Sequence, residues 1–322
     1  MNKPLKILLA TLAVLLLAVG GGYGWAAMRT SGILSQTVET HRADFPTPFP
    51  LTEEERAALD PSEDPDAVAL ARAIERGRHL VDSRYVCVEC HGQNFGGGVM
   101  VDDPLIGQAL GPNITTGRGS LTVDYTPSDW DRAVRHGVLP DGRPSVMPAE
   151  DFQLMSDQEL SDVVAYIRSM PPVDNEVARV RLGPLGRVLV ATGEIPLAAL
   201  TMASHDESHA ALPPLPEVSL EFGRHLAGVC AGCHGADFSG GAIPGGDPSW
   251  APARNLTPHQ EGLAAWSYAA FETALREGKR PDGSALVEPM TFVTPYAVNM
   301  TDVEMRALWT YLQSLPPTPT SG

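Results

Sequence analysis

The segment Cys87-Val88-Glu89-Cys90-His91-Gly92 recurs 143 residues later as Cys230-Ala231-Gly232-Cys233-His234-Gly235, and the recurrence extends well beyond the cysteines. Gly77-Arg78-His79-Leu80 returns as Gly223-Arg224-His225-Leu226, and Asn113-Ile114-Thr115 as Asn255-Leu256-Thr257. Asp141-Gly142 returns as Asp282-Gly283, Met147 as Met290, and Tyr166 with Pro171-Pro172 as Tyr311 with Pro316-Pro317. A repeat of this length constrains the chain to two similar small domains in tandem. Their boundaries fall at about 66–173 and 215–317, with a linker at 174–214 and a tail at 318–322.

Residues 67–83 combine good helix formers with apolar positions at helical spacing and lead into the first cysteine pair. Residues 127–137 and 266–278 read as short helices stopped by glycine. Ser156 to Glu159 and Thr301 to Glu304 are capping-box patterns, opening helices that must end before Pro171 and Pro316. No run of alternating strand residues stands out, so the expected fold class is all-α. The apolar part of the linker, 185–202, contains Arg187 and Glu194. It is too short and too charged to span a membrane and is expected to pack against the domains.

Lys3 and Lys6 precede 22 residues without charge, Ile7 to Met28. A bilayer-spanning helix needs roughly 20 apolar residues, and a basic start orients the N-terminus towards the cytoplasm. Residues 1–28 are therefore expected to be a membrane anchor, the competing reading being an export signal cut near Ala26-Ala27. Either carries the rest of the chain outside. Residues 29–65, with Pro46, Pro48 and Pro50, read as an extended tether.

The chain's four cysteines all lie in the two repeated pairs. Thiols in Cys-x-x-Cys-His sit one helical turn apart, where they can add to the two vinyl groups of one haem and place the histidine over the iron. Structural zinc fits less well, because Cys87, Cys90 and His91 are too crowded to give one tetrahedral ion three ligands. A redox dithiol would want a βαβ context that is missing here. Two haem c groups are expected, on Cys87, Cys90 and His91 and on Cys230, Cys233 and His234.

The repeat also supplies matched sixth ligands. Met147, in Ser145-Val146-Met147-Pro148, and Met290, in Glu288-Pro289-Met290-Thr291, each follow an Asp-Gly turn and precede the capped last helix. Met155 and Met300 also match each other, but they sit just before a helix N-cap, where a staple residue belongs. A thioether ligand raises the potential, and a closed His/Met iron suits electron transfer. His79 and His225 are expected to be structural, and His41, His136, His205, His209 and His259, which have no repeat counterparts, to lie on the surface. Arg135 and Arg276 are candidate partners for haem propionates. Tyr125, Trp130, Trp266 and Phe271 are expected to pack near the haem edges or in the core.

The net charge of −16 argues against nucleic acid and favours a basic protein partner, steered in a salt-dependent way.

These motifs resemble the class I cytochrome c family in its tandem dihaem form, over about 66–172 and 215–317. The chain is similar to the haem subunits of membrane-bound alcohol or aldehyde dehydrogenases, which usually carry three haems where this chain has two motifs. The resemblance implies two tandem cytochrome c domains and an electron carrier rather than an enzyme. The donor would be a dehydrogenase or a quinol-oxidising complex, and the acceptor a terminal oxidase or a small cytochrome. A single N-terminal helix would hold it in the bacterial cytoplasmic membrane, with the haem domains in the periplasm. The alternative is a dihaem peroxidase with one open iron, against which the matched methionines count. In the family a Gly-Pro carbonyl orients the proximal histidine. Gly111-Pro112 fits, whereas Ala253-Arg254 in the second unit departs and leaves the bond to His234 open.

Overall fold

The computed structural model describes residues 3–321; Met1, Asn2 and Gly322, at the ends of the expected anchor and tail, lie outside the described residues. The elements are α1 (Lys3–Leu34), α2 (Glu53–Ala57), α3 (Pro65–Ser83), α4 (Cys87–His91), β1 (Gly98–Asp103), β2 (Gly107–Gly111), α5 (Pro127–Arg135) and α6 (Asp157–Ser169). There follow β3 (Arg181–Leu182), α7 (Pro184–Thr192), α8 (Ala198–Thr201), α9 (Leu220–Ala227), α10 (Ala231–His234), α11 (Tyr268–Glu277), α12 (Thr294–Ala297) and α13 (Asp302–Ser314).

Each domain is built on the crossing of its first and last long helices, α3 with α6 and α9 with α13. A glycine permits each crossing. A Cβ on Gly77 would fall on the Asp162 carbonyl and Tyr166, and one on Gly223 on the Ala307 carbonyl and Tyr311. The last helices start as their capping boxes require, with Ser156 Oγ accepting from Glu159 N–H and Thr301 Oγ1 from Glu304 N–H, both at 3.2 Å. The first core gathers Leu80, Val81, Phe95, Trp130, Leu160 and Val164, and the second Phe222, Leu226, Phe238, Phe271, Met305 and Leu308.

Three expectations need correction. The fold is helical but not strictly all-α, because β1, β2 and β3 form a small antiparallel sheet in the order β1-β2-β3. Its strands run from two to six residues, begin and end on glycine in β2, and carry a register shift between Val99 and Val101. That leaves no alternation to read. The region after the anchor is also not a free tether. Helix α1 continues to Leu34, and the extended chain beyond it lies on the first domain. Val38 N–H donates to the Gly142 carbonyl at 2.8 Å, Ser161 Oγ donates to the Pro46 carbonyl at 2.8 Å, and Ala43 and Phe45 join the first core. The apolar part of the linker packs chiefly on the N-terminal helix, not on the domains as expected: α7 lies against the C-terminal end of α1, where Arg29 Nε donates to the Ala191 carbonyl (2.8 Å) and Thr30 Oγ1 to the Arg187 carbonyl (2.6 Å). The most apolar 18-residue stretch of α1 is wholly unburied.

The domains meet on a pair of matched contacts. His79 Nε2 lies 3.0 Å from Glu304 Oε1, and its repeat counterpart His225 has Nε2 2.8 Å from Glu159 Oε1. Between the two carboxylates sits the buried guanidinium of Arg84.

Two candidate haem attachment sites

Cys87, Cys90 and His91 share the single turn of α4, which ends at Gly92 with a φ of 76°, a conformation that suits glycine. The buried His91 ring has Nδ1 2.9 Å from the Pro112 carbonyl. That bond places the proton on Nδ1 and leaves the Nε2 lone pair free, which is the form an iron ligand needs. Burial lowers the basicity of His91, with the bond to Pro112 partly opposing it, so the ring stays neutral. Burial also pushes the Cys87 thiol up to about 12 and raises Cys90. Zinc would require thiolates, which this surrounding disfavours; it accepts a neutral thioether sulfur instead.

The second site repeats the arrangement. Cys230 ends a short 3-10 turn and α10 carries Cys233 and His234. Burial pushes the Cys230 thiol up to about 12, lowers His234 and raises Cys233. His234 Nδ1 lies 2.6 Å from the Arg254 carbonyl, so the bond left open by the Ala253-Arg254 departure is made. The acceptor is main chain, and proline is not needed to supply it. What positions the carbonyl is the matched Asn-x-Thr segment. Asn113 Nδ2 donates to the Val173 carbonyl and Asn255 Nδ2 to the Thr318 carbonyl, each at 2.7 Å, tying the loop to the chain beyond the last helix. The sequence displayed this repeat without revealing its role. Phe95 and Phe238, just after the motifs, hold φ values of 57° and 59° with their rings buried. Such backbone is strained for a bulky residue and persists where packing over-determines it.

Around the first motif, Met147 packs against the same core as Cys87. Trp130 is buried in that core with Nε1 lacking a hydrogen-bond partner among the described residues. A buried orphan donor wants an acceptor. With two thiols, an imidazole presenting Nε2 and this donor, the residues fit a covalently bound haem. Met290 lies half-buried in a 3-10 turn, Met290–Phe292, apart from the core that Cys230 borders. Met155 is buried in the first core and Met300 packs on the second, as staple residues should.

Other readings are corrected. Arg135 is fully buried and committed to Asp131 Oδ1 (2.7 Å), the Met155 carbonyl (3.0 Å) and Asp157 Oδ1 (2.7 Å), so no propionate claims it. Arg276 is likewise engaged by the Val298 carbonyl, Asp302 and Glu272. His136 is buried, and His41, His205 and His209 gather around it rather than standing on the surface. His259, beside Glu261, stays apart from them.

Each attachment turn lies under the other domain. Tyr296 of α12 donates its hydroxyl to Glu89 Oε1, inside the first motif, at 2.6 Å. Asp151 of the first domain packs on Gly232, inside the second motif, so closely that a Cβ there would strike its carboxylate. Burial pushes Asp151 up to about 7.

Residues 221–316 match the family described as cytochrome c, and residues 72–167 the family described as cytochrome c oxidase, cbb3-type, subunit III. The chain is 31% identical over 264 residues to the alcohol dehydrogenase (quinone) cytochrome c subunit of Gluconacetobacter polyoxogenes, covering 73% of this chain and 54% of that protein. It is 26% identical to the fructose dehydrogenase cytochrome subunit of Gluconobacter japonicus over 81% of this chain and 56% of the other. To the gluconate 2-dehydrogenase cytochrome c subunit of Pantoea cypripedii it is 28% identical, over 75% and 59%. The chain thus spans a little over half the length of these relatives.

Proposed function

Since the chain carries two cytochrome c domains in tandem, we propose that it is a dihaem electron-transfer subunit that accepts electrons from a dehydrogenase or quinol-oxidising partner and passes them to a terminal oxidase or small cytochrome. Each haem would supply a one-electron iron couple. The chain's own residues do the rest. Cys87 and Cys90, and Cys230 and Cys233, would anchor the two groups through thioethers. His91 and His234, held in one tautomer by the Pro112 and Arg254 carbonyls, would present Nε2 to each iron. Met147 and Met290 would supply the second protein ligand to each iron, leaving no position for small ligands. Helix α1 would cross the cytoplasmic membrane and leave both domains on its periplasmic side. The acidic surface suits a basic redox partner.

The observation that carries this reading is the reciprocal seating of the two attachment turns, Glu89 under Tyr296 and Gly232 under Asp151. That seating brings the two attachment turns to one interdomain contact, an arrangement that suits a relay rather than two independent carriers.

Visible and near-infrared spectra of the holoprotein test it, taken oxidised, reduced and reduced with carbon monoxide. The expected result is a Met-to-iron charge-transfer band and no carbon monoxide shift, with Met147→Ala and Met290→Ala each opening one haem. Carbon monoxide binding by the wild type would overturn the closed-relay reading and favour a peroxidase. Wild-type spectra in both variants would overturn the ligand assignment.

A further inference from the structure

We propose that His41, Asp131, His136 and His209 form a structural zinc site that fastens the segment after the anchor and the interdomain linker to the first domain. The four side chains come from three separate stretches: His41 from the chain after α1, Asp131 from α5 and His136 from its C-cap, and His209 from the linker. Their ligand atoms all lie within 4.8 Å of one another. The Nε2 atoms of His136 and His209 are 3.2 Å apart. Asp131 carboxylate oxygens lie 3.5 Å from His209 Nε2, 3.6 Å from His136 Nε2 and 3.7 Å from His41 Nε2. Four ligands at zinc–ligand distances of about 2.0 Å in a tetrahedron stand about 3.3 Å from each other. The His136–His209 spacing matches that, and Oδ2 of Asp131 stands only slightly farther from His136 and His41, so small side-chain adjustments would bring the four residues onto one ion.

Tautomers strengthen the case. His205 Nε2 must donate to the Ala199 carbonyl at 3.0 Å, which in the neutral ring leaves its Nδ1 as an acceptor. His136 Nδ1, 3.0 Å away, then donates to it and turns a lone pair at Nε2 inward. His41 Nδ1 donates to the His205 carbonyl at 3.3 Å and likewise faces inward with a lone pair. Both lone pairs meet Asp131 Oδ2, a buried oxygen with no hydrogen-bond donor of its own. Two lone pairs converging on an unpartnered carboxylate repel unless a cation lies between them. Arg135 takes the other oxygen, Oδ1, and shares its charge with Asp157, so the cluster retains negative charge for a metal. Ligation through Nε2 with Nδ1 bonded to protein groups is the outer-sphere pattern of zinc histidines. With four protein ligands the site has no open position, which marks it as structural.

The test uses the full-length holoprotein in detergent, prepared without metal-affinity chromatography, with metal content measured against haem iron. One zinc per two haems is expected. After chelator stripping, Zn2+ added alone should rebind one-to-one in competition with a chromophoric chelator, and zinc-edge absorption should report three nitrogens and one oxygen. His136→Ala and His209→Ala should abolish tight binding. His205→Ala, which releases only the tautomer lock, should weaken it by about 10–100-fold. His259→Ala should bind as wild type. Haem spectra show whether each variant is folded. Wild type that binds Zn2+ no more tightly than folded His209→Ala would overturn the proposal, as would a zinc signal unchanged in both ligand variants.

Discussion

Glu159 and Glu304, matched residues of the two repeats, lie on the same guanidinium: Arg84 Nη1 is 2.6 Å from Glu159 and Nη2 is 3.1 Å from Glu304. Between its Gly-Arg-His-Leu segment and its first cysteine the second unit has only Ala227-Gly228-Val229 and no arginine, so the interface is symmetric in its histidines and carboxylates and single in its central charge. Breaking a buried ion network by removing one partner is costly, because the other charge stays buried. Arg84→Met should lower stability by about 3–5 kcal/mol, seen as a drop in thermal midpoint with both haems still attached. A midpoint within a degree or two of wild type would mean that the carboxylates find other partners.

The same carboxylates set an acid limit. Burial pushes Glu159 up, but the His225 hydrogen bond and the Arg84 charge more than offset it and hold it at about 2; Glu304, with His79 and Arg84, is held at about 2 as well. A carboxylate whose pKa is depressed on folding stabilises the fold above its unfolded value and loses that contribution as pH falls through the folded one. The interface should therefore weaken between about pH 4.5 and 2, by an amount on the order of a few kcal/mol. Glu304→Gln should flatten that part of a stability–pH curve. An unchanged slope in the variant counts against this account.

Gly77→Ala and Gly223→Ala each place a methyl against the carbonyl of a crossing helix. Backbone cannot yield as a side chain can, and overpacking of this sort costs about 1–3 kcal/mol or more. Chemical denaturation should show each variant destabilised, whereas Gly193→Ala meets no atom and should show only the smaller strain of its left-handed turn.

Arg254→Ala should leave the second haem's spectrum and potential as they are, since His234 bonds the Arg254 carbonyl and not its side chain. A shifted potential would show that the guanidinium acts on that site directly.

Cys230→Ala should release one covalent haem, halving the haemochrome absorbance per chain while leaving the first site intact. Two covalent haems retained in the variant would remove the attachment assignment.

The parts of the structure readable from the sequence are those written in local spacing. The Cys-x-x-Cys-His turns, the capping boxes at Ser156 and Thr301, and the duplicated helices lie within a few residues of their signals. The sheet escaped because its third strand has two residues and its partners lack alternation. The histidine cluster escaped because His41, His136 and His209 have no counterparts across the repeat and come from stretches that only folding brings together. The His234 bond stayed open in the sequence because a main-chain acceptor is indifferent to the side chain that carries it.

The contact of α1 with α7 has a mechanical consequence. Thr30 and Ala26 are buried where the anchor leaves its apolar stretch, and Arg29 and Thr30 clasp the carbonyls of α7. A cytochrome hung on a flexible leash would explore a hemisphere of solution and meet partners at any height. If α1 spans the bilayer as proposed, a domain clasped at its foot would be held near one orientation and one height above the membrane. Its redox partners would then be chosen by geometry before affinity: only a protein whose own electron port stands at that height can collide productively.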